Sequence, residues 1–284
     1  MHPYITVIPP RGEPTPVVFD SPHSGSHYPD DFDYIVPLWM LRRGEDPCVE
    51  KLFSAAPDHG SPLIAAEFSR MYIDPNRSAS DIDPDMLDGE WPHPIEISHK
   101  TRSGMGLIRS RSGRDRRRIY ERKLSIEEVH HRIENFWRPY HDTLRNHLDA
   151  TYATFGAAWH INCHSMPSKW ATGFEKAGEP NKNDYVLGNR DGTTAGAEFT
   201  ELVRETLAGF GFHVGINDGQ KGVELVRAYS DPSEERHSLQ IEINRRLYWD
   251  ERNMKKREGH FEEQQAIMAN LIKVVCDYAR SRVG

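Results

Sequence analysis

The sequence predicts an α/β protein in which helices cover both faces of a mostly parallel sheet. Short apolar runs of strand length alternate with segments of helical periodicity, and no internal repeat or low-complexity linker interrupts the alternation. Strands are predicted at residues 16–20, 62–68, 157–163, 212–216 and 238–243. Helical spacing of apolar side chains predicts helices at 49–56, 129–148, 195–207 and 271–278. A single domain over residues 1–284 is the simplest account of this pattern.

Local signals refine the middle of the chain. Ser125 and Glu128 have the spacing of a capping box, which predicts that a long helix begins there. Pro139 lies inside the same helical pattern and predicts a bend or a break. The segment 74–106 contains four prolines and is predicted to be irregular.

Composition and charge exclude several classes of protein. A formal net charge of -7 argues against general affinity for nucleic acid, which requires a basic surface. The three cysteines are widely spaced and form no C-x-x-C motif, so we expect a reducing compartment without disulfides. The sequence shows neither a signal peptide nor an apolar run long enough to span a membrane. We therefore expect a cytoplasmic protein, and the sequence leaves its oligomeric state open.

Two histidines follow predicted strands at points that would meet in one crevice. His23 comes after the strand at 16–20, and His164 comes after the strand at 157–163. Ligands of open α/β sheets bind beyond the carboxyl ends of the strands, and imidazole is the commonest protein ligand of divalent transition metals. A single histidine of this kind is more often a polar turn residue. The pair, with acidic residues after each, favours a zinc-type site.

A second cluster follows the predicted strand at 62–68. Arg70 and Arg77 could each bind a carboxylate through two parallel hydrogen bonds, and Asn76 offers an amide beside them. The alternative is a pair of surface arginines that form ion pairs with Asp74 and Asp81.

Charged side chains near the last predicted strand suggest two further roles. Glu242 lies between two isoleucines, where an unpaired carboxylate would be costly, so it is either a general base or half of an ion pair with Arg245 or Arg246. Lys221 and Arg227 flank a glycine-containing segment and could bind an anionic substrate.

Six short motifs occur in a characteristic order. They are Ser-Pro-His-Ser-Gly at 21–25, Glu-Asp at 45–46, Ser-Arg-x-x-Ile-Asp-x-Asn-Arg at 69–77, Trp-x-Pro-Tyr-His at 137–141, Cys-His-Ser-Met at 163–166 and Gln-x-Glu-x-Asn-x-x-x-Tyr at 240–248. In this order they resemble the N-formylglutamate amidohydrolase family over most of the chain. The family is similar to the zinc carboxypeptidase-like hydrolases, which implies a three-layer α/β/α sandwich with a mixed, mostly parallel sheet.

The resemblance also implies roles for individual residues. His23, Asp46 and His164 match a ligand set for one Zn²⁺ or another divalent transition metal per chain. Glu242 matches the glutamate that activates water. Arg70 matches the arginine that polarises the scissile carbonyl. Asn76 and Arg77 match the pair that holds the α-carboxylate of the substrate. The implied substrate is a small N-acyl amino acid such as N-formylglutamate, cleaved to formate and the free amino acid.

Some positions depart from the family pattern and leave alternatives open. Asn162 stands where family members usually have an acid, and Pro47 stands where they often have an aromatic residue. Glu45 is as close to the motif as Asp46 and could be the carboxylate ligand instead. The alternatives to N-formylglutamate hydrolysis are deacylation of another N-acyl amino acid and a non-catalytic paralogue. The basic run at 109–123 is interpreted as a solvated loop, although some of its arginines could face an anionic substrate.

Overall fold

The structure of the protein is a computed structural model that describes residues 2–113, 115–168 and 182–283. The chain forms two compact units. The first comprises Met1–Thr6, Pro22–Asp46 and Ala66–Thr143, and the second comprises Val7–Ser21, Pro47–Ala65 and Leu144–Gly284. The single catalytic domain expected from the sequence stays a prediction.

Most residues of a mixed sheet belong to the second unit. Within the described residues the sheet has seven strands: β1 (Ile5–Ile8), β2 (Val17–Ser21), β3 (Leu63–Ala66), β4 (Ala158–Met166), β5 (Tyr185–Gly188), β6 (Val214–Ile216) and β7 (Arg236–Asn244). Their spatial order is β1-β3-β2-β4-β7-β5-β6. Strands β3, β2, β4 and β7 run parallel, β5 pairs antiparallel with β7, and β6 runs parallel to β5. This confirms the predicted α/β fold with a mixed, mostly parallel central sheet flanked by helices.

Helices account for much of the remaining described chain. They are α1 (Leu38–Arg42), α2 (Val49–Leu52), α3 (His99–Arg102), α4 (Ile126–Arg132), α5 (Arg138–Phe155), α6 (Ala197–Ala208), α7 (Glu224–Ala228) and α8 (His260–Arg282). Single 3₁₀ turns occur at Asp30–Phe32, Ala56–His59, Pro84–Met86, Pro232–Glu234 and Arg245–Leu247. Two-residue strands pair as Leu87–Asp88 with Leu124–Ser125, Arg111–Ser112 with Arg117–Arg118, and Trp249–Asp250 with Lys255–Lys256. No helix of the described residues is both long and apolar enough to cross a bilayer.

The three central strands have two different faces because side chains alternate along a strand. On one face Phe19 of β2, Trp159 of β4 and Ile241 of β7 join the main hydrophobic core, where helices α2, α6 and α8 contribute their apolar sides. The opposite face of β2, β4 and β7 is polar and equally buried, with these residues: Asp20, His160, Asn162, His164, Ser238, Gln240, Glu242 and Asn244. Buried polar groups are costly unless they are hydrogen-bonded, so this face needs an explanation beyond folding.

The long helical segment begins where the capping box predicted. The Ser125 side chain accepts a 3.1 Å hydrogen bond from the backbone N–H of Glu128. The predicted break is a π-helical turn, Ile133–Trp137, directly before Pro139, and the N–H of Arg138 bonds back to Ile133. Proline has no N–H for the carbonyl four residues earlier, which explains why the regular pattern is interrupted here.

Candidate active site

His164 lies inside a strand rather than after it. Strand β4 continues to Met166, three residues beyond the predicted end, because it pairs with β7 along its whole length. His164 is 2 % exposed, and its Nε2 lies 2.7 Å from Oδ1 of Asn162. The amide of Asn162 in turn donates to Oδ1 of Asp20 at 2.7 Å. The position at which the family usually has an acid is therefore occupied by an amide that a nearby acid holds in place.

Glu242 is the strand partner of His164. The two residues are paired in the parallel register of β4 and β7, so their side chains project from the same face of the sheet. Glu242 is 7 % exposed, and Gln240 donates a 2.9 Å hydrogen bond to its Oε1. Of the two arginines that the sequence offered as ion-pair partners, Arg245 donates to Ser165 and Arg246 bonds Asp184, and the ion pair with Glu242 stays an alternative prediction.

In the first unit, His23 follows the end of β2 by two residues. Its Nδ1 lies 3.5 Å from Oδ2 of Asp46, and its Nε2 lies 2.7 Å from Oδ1 of Asp74. The backbone N–H of Asp46 also donates to the carbonyl of His23 at 3.0 Å. His23 and Asp46, both predicted as metal ligands, are thus held side by side and almost fully buried.

The neighbouring acid Glu45 has different surroundings. Its carboxylate accepts hydrogen bonds from the hydroxyls of Tyr28 and Ser69. Burial, followed by the charge of Glu45, raises the pKa of the Tyr28 phenol, which keeps that hydroxyl a donor. These contacts favour Asp46 over Glu45 as the carboxylate next to His23.

Asp74 is the centre of a charged cluster that the sequence only suggested as an ion-pair partner. It is fully buried and accepts hydrogen bonds from Arg70 at 2.7 Å and Arg109 at 3.3 Å. Burial alone would raise the pKa of Asp74, but Arg70 and His23 outweigh that effect and hold it well below its ordinary value. Arg70 also approaches Asp46, with its Nη1 at 3.7 Å from Oδ1.

Arg109 differs from the other arginines of the basic run. Burial and the neighbouring Arg70 lower its pKa to about 9, so it remains a cation at neutral pH. Its Nε is buried and has no hydrogen-bond partner in the described part of the chain. Pattern alone could not separate this residue from its exposed neighbours. The rest of the run agrees with the predicted solvated loop: Arg111, Arg117 and Arg118 form an exposed two-stranded hairpin, and Arg114 lies outside the described residues.

The predicted carboxylate-binding pair, Asn76 and Arg77, lies on a loop just after Asp74. The N–H of Asn76 donates to Asp74 at 3.0 Å. The guanidinium of Arg77 is held by two backbone carbonyls, with Nε donating to Met105 at 3.0 Å and Nη1 donating to Asn76 at 2.7 Å. Both side chains are buried, and these bonds fix the plane of the guanidinium.

Trp137 and His141, in and just after the π-helical turn, bind the backbone of this loop. The indole of Trp137 donates to the carbonyl of Arg77 at 2.9 Å, and Nε2 of His141 bonds the carbonyl of Pro75 at 2.8 Å. The rings of Trp137 and His141 stack with centroids 3.7 Å apart. The Trp-x-Pro-Tyr-His motif therefore has a structural role: it fixes the Asn76–Arg77 loop.

Lys221 and Arg227 are exposed and form surface ion pairs. Lys221 bonds Asp191 at 2.8 Å, and Arg227 bonds Glu224 at 2.7 Å within α7. Their assignment to substrate binding stays a prediction.

A mixed α/β sheet whose polar face pairs a buried histidine with a buried glutamate forms a candidate catalytic site, and comparison with known proteins specifies the class as hydrolase. The family model for N-formylglutamate amidohydrolase matches residues 15–249. The chain therefore belongs to the N-formylglutamate amidohydrolase family, which confirms the resemblance seen in its motifs.

Relatives and solved structures agree with this assignment. The chain is 26% identical over 273 residues to an N-formylglutamate deformylase of Pseudomonas putida, with 94% of each chain covered. An N-formylglutamate deformylase of Pseudomonas aeruginosa is 24% identical over 274 residues, covering 94% of this chain and 95% of the relative. The crystal structure of N-formylglutamate amidohydrolase from Ralstonia eutropha JMP134 has 43% identity and a TM-score of 0.94, with 99% of each chain covered. Gene product Atu2144 of Agrobacterium tumefaciens shares the fold, with a TM-score of 0.68 at 15% identity and coverage of 99% of this chain and 96% of that one.

Proposed function

We propose that the protein is a metal-dependent amidohydrolase that cleaves the formyl amide of N-formylglutamate. Water would add its oxygen to the formyl carbon and its proton to the nitrogen, so that formate and glutamate are released. The observation that carries the metal part of this proposal is a set of buried side chains that each offer one ligand atom. His23 and Asp46 lie side by side, with Nδ1 of His23 3.5 Å from Oδ2 of Asp46, and His164 supplies a second buried imidazole.

The donor set fits a zinc-type ion. Two imidazoles and one carboxylate are common protein ligands of zinc, and three of them leave a position for water. Each histidine bonds an oxygen acceptor through Nε2, Asp74 for His23 and Asn162 for His164, so Nδ1 would be the nitrogen that each ring offers to the metal. A bound zinc ion would act as a Lewis acid and lower the pKa of a water molecule toward neutrality.

Glu242 is the proposed general base. It is buried, it stands beside His164, and the amide of Gln240 orients one of its oxygens. In this role the carboxylate takes a proton from the attacking water and returns it to the leaving nitrogen. Arg70 is the proposed partner of the carbonyl oxygen on which negative charge develops. Its Nε and Nη2 donate to Asp74, while Nη1 lies 3.7 Å from Asp46 on the side of the candidate metal ligands.

Asn76 and Arg77 are proposed to bind the α-carboxylate of the substrate. Support for an anionic substrate comes from the surrounding charges, since both Arg70 and Arg77 lower the pKa of Arg109 by repulsion. A carboxylate placed among these guanidinium groups would relieve that repulsion and form charge-assisted hydrogen bonds.

A hydrolysis panel tests the proposal. The metal-free and zinc-loaded protein would be incubated with N-formylglutamate, N-formylglutamine and N-acetylglutamate, with formate, acetate and free amine measured separately. We expect zinc-dependent release of formate and glutamate, fastest from N-formylglutamate. Faster release of acetate would instead identify a deacylase of another class. Binding of N-formylglutamate without any hydrolysis would identify a non-catalytic paralogue.

A further inference from the structure

The polar face of the sheet carries a continuous chain of hydrogen bonds that ends at His164. Ser238 Oγ lies 2.6 Å from Nδ1 of His160, and Nε2 of His160 lies 2.8 Å from Oδ1 of Asp20. The same Asp20 oxygen accepts from the Asn162 amide at 2.7 Å, and Asn162 Oδ1 lies 2.7 Å from Nε2 of His164. All five residues are at most 2 % exposed.

The chemistry of these groups determines which atom donates and which accepts in the hydrogen bonds between Asp20, Asn162 and His164. An ionised Asp20 can only accept, so the NH₂ group of Asn162 must be the end that faces it. The carbonyl of Asn162 therefore faces His164, and a carbonyl can only accept as well. It follows that Nε2 of His164 is the donor in this bond, which leaves Nδ1 as the ring nitrogen that can bind a metal.

We propose that Asp20 and Asn162 act together as positioning residues for His164. Asp20 fixes the orientation of the Asn162 amide, and Asn162 fixes the tautomer and ring plane of His164 so that Nδ1 is its ligand atom. His23 is positioned in a similar way but by an acid directly, because its Nε2 bonds the carboxylate of Asp74. The acid that supports His164 is Asp20, which acts through one intervening residue, Asn162. The inference rests on the proposed metal role of His164.

A purely structural network would have different consequences. If these bonds only satisfied buried polar groups, any well-packed replacement of Asn162 would affect stability without a specific effect on the His164 ring. The positioning role instead requires an acceptor at residue 162 and an ordered acid–amide pair behind it. Metal affinity and the histidine tautomer distinguish the two cases.

The first test removes the acceptor with Asn162→Leu. Zinc affinity would be measured by chelator competition, and the tautomer of His164 by ¹⁵N NMR of the metal-free protein with labelled histidine. Supporting groups of metal-bound histidines typically change affinity by about 10–100-fold, and we expect a loss of that size together with a gain of the Nδ1–H tautomer. Asn189→Leu is the matched control, because Asn189 is also a buried amide but directly follows β5 and bonds Thr200 and Asn217. That control should retain both zinc affinity and the His164 tautomer.

The second test exchanges the acid and the amide. Asn162→Asp alone places two carboxylates together without a donor, and we expect weak zinc binding. The double variant Asp20→Asn/Asn162→Asp restores one acid and one amide in reverse order, and we expect zinc affinity within about tenfold of wild type, at the lower limit of effects from such supporting groups. It keeps both polar groups, so it also tests the proposal where Asn162→Leu does not fold. Unchanged tautomer and affinity in Asn162→Leu, or an exchange variant no better than Asn162→Asp, would overturn the proposal. Neither readout needs catalysis, so a failed hydrolysis panel leaves both interpretable.

Discussion

The carboxylate of Asp74 accepts a 2.7 Å hydrogen bond from Nε2 of His23. An ionised carboxylate can only accept, so this bond places a proton on Nε2, and Nδ1 is the nitrogen that faces Asp46 at 3.5 Å. Asp74 also receives Arg70 and Arg109, so one buried acid orients both a candidate metal ligand and the cations around it.

The first prediction concerns which acid binds the metal. Asp46→Ala should lose most of the zinc bound by wild type, because Asp46 is the carboxylate beside His23. Glu45→Ala should retain zinc, because Glu45 is engaged by Tyr28 and Ser69. Elemental analysis after dialysis, with His164→Ala as a metal-deficient reference, provides the measurement. Zinc retained in Asp46→Ala and lost in Glu45→Ala would assign the ligand to Glu45 instead.

The second prediction concerns the general base. Glu242→Gln preserves shape and removes basicity, so kcat should fall by roughly two to four decades while zinc content is unchanged. The control is Gln240→Met, which removes the hydrogen bond to Glu242 but keeps the carboxylate. Its loss should be much smaller. A near-normal kcat in Glu242→Gln would mean that Glu242 is structural.

The third prediction concerns recognition of the α-carboxylate. Arg77→Lys should cost about 1.5–3 kcal/mol in kcat/KM, the usual size of a hydrogen bond to a charged group, because lysine cannot reproduce the planar geometry. The variant should also discriminate less between N-formylglutamate and its α-amide. Arg122→Lys, a change at an exposed arginine paired with Asp33 and Glu128, should leave both values unchanged. Equal hydrolysis of acid and amide by the wild type would show that Arg77 does not read a carboxylate.

The fourth prediction concerns stability of the first unit. Arg132 is fully buried and donates to Glu128 at 2.7 Å, to Tyr120 at 2.7 Å and to the carbonyl of Tyr72 at 3.0 Å. Removing one partner of a buried pair typically costs about 3–5 kcal/mol. Glu128 is 14% exposed and keeps Arg122 at 2.8 Å, so we expect Arg132→Met to lower the free energy of unfolding by about 3 kcal/mol, the low end of that range.

Urea denaturation measures this loss, and Arg138→Met provides its control. Arg138 forms an ion pair with Glu134 at the same helical spacing, but both side chains are about half exposed. Exposed pairs contribute at most about 1 kcal/mol. Similar losses in the two variants would show that burial does not distinguish them.

The sequence predicted the elements whose local pattern is strong. The apolar runs at 16–20 and 238–243 became β2 and β7, and the capping box at Ser125 marks the beginning of α4. Strands β1 and β5 were not predicted, since each has four residues and little local pattern. Their identity depends on pairing with distant parts of the chain.

The candidate site was predicted by residue type, but its connections were not. The motifs indicated four candidate site residues because the motifs occur in the order typical of the family. These residues are His23, Asp46, Glu242 and Arg77. Nothing in the local sequence shows that Asp74 is buried among cations. Nor does it show that Arg109, unlike its exposed neighbours, donates a hydrogen bond to Asp74. Asn162 looked like a departure from the family, and its hydrogen bond to Asp20 spans 142 positions of the chain.

The alternation of polar and apolar side chains along β4 and β7 has a consequence for how this sheet assembles. The two strands pair over nine consecutive residues, with His164 opposite Glu242 and Ile161 opposite Leu239. A slip of one residue would turn Trp159 and Ile161 toward the polar side and force His164 into an apolar interior. The buried polar groups proposed for catalysis therefore disfavour a misaligned pairing of β4 and β7. We expect deletion of a single residue within β4 to disrupt both the sheet and the candidate site.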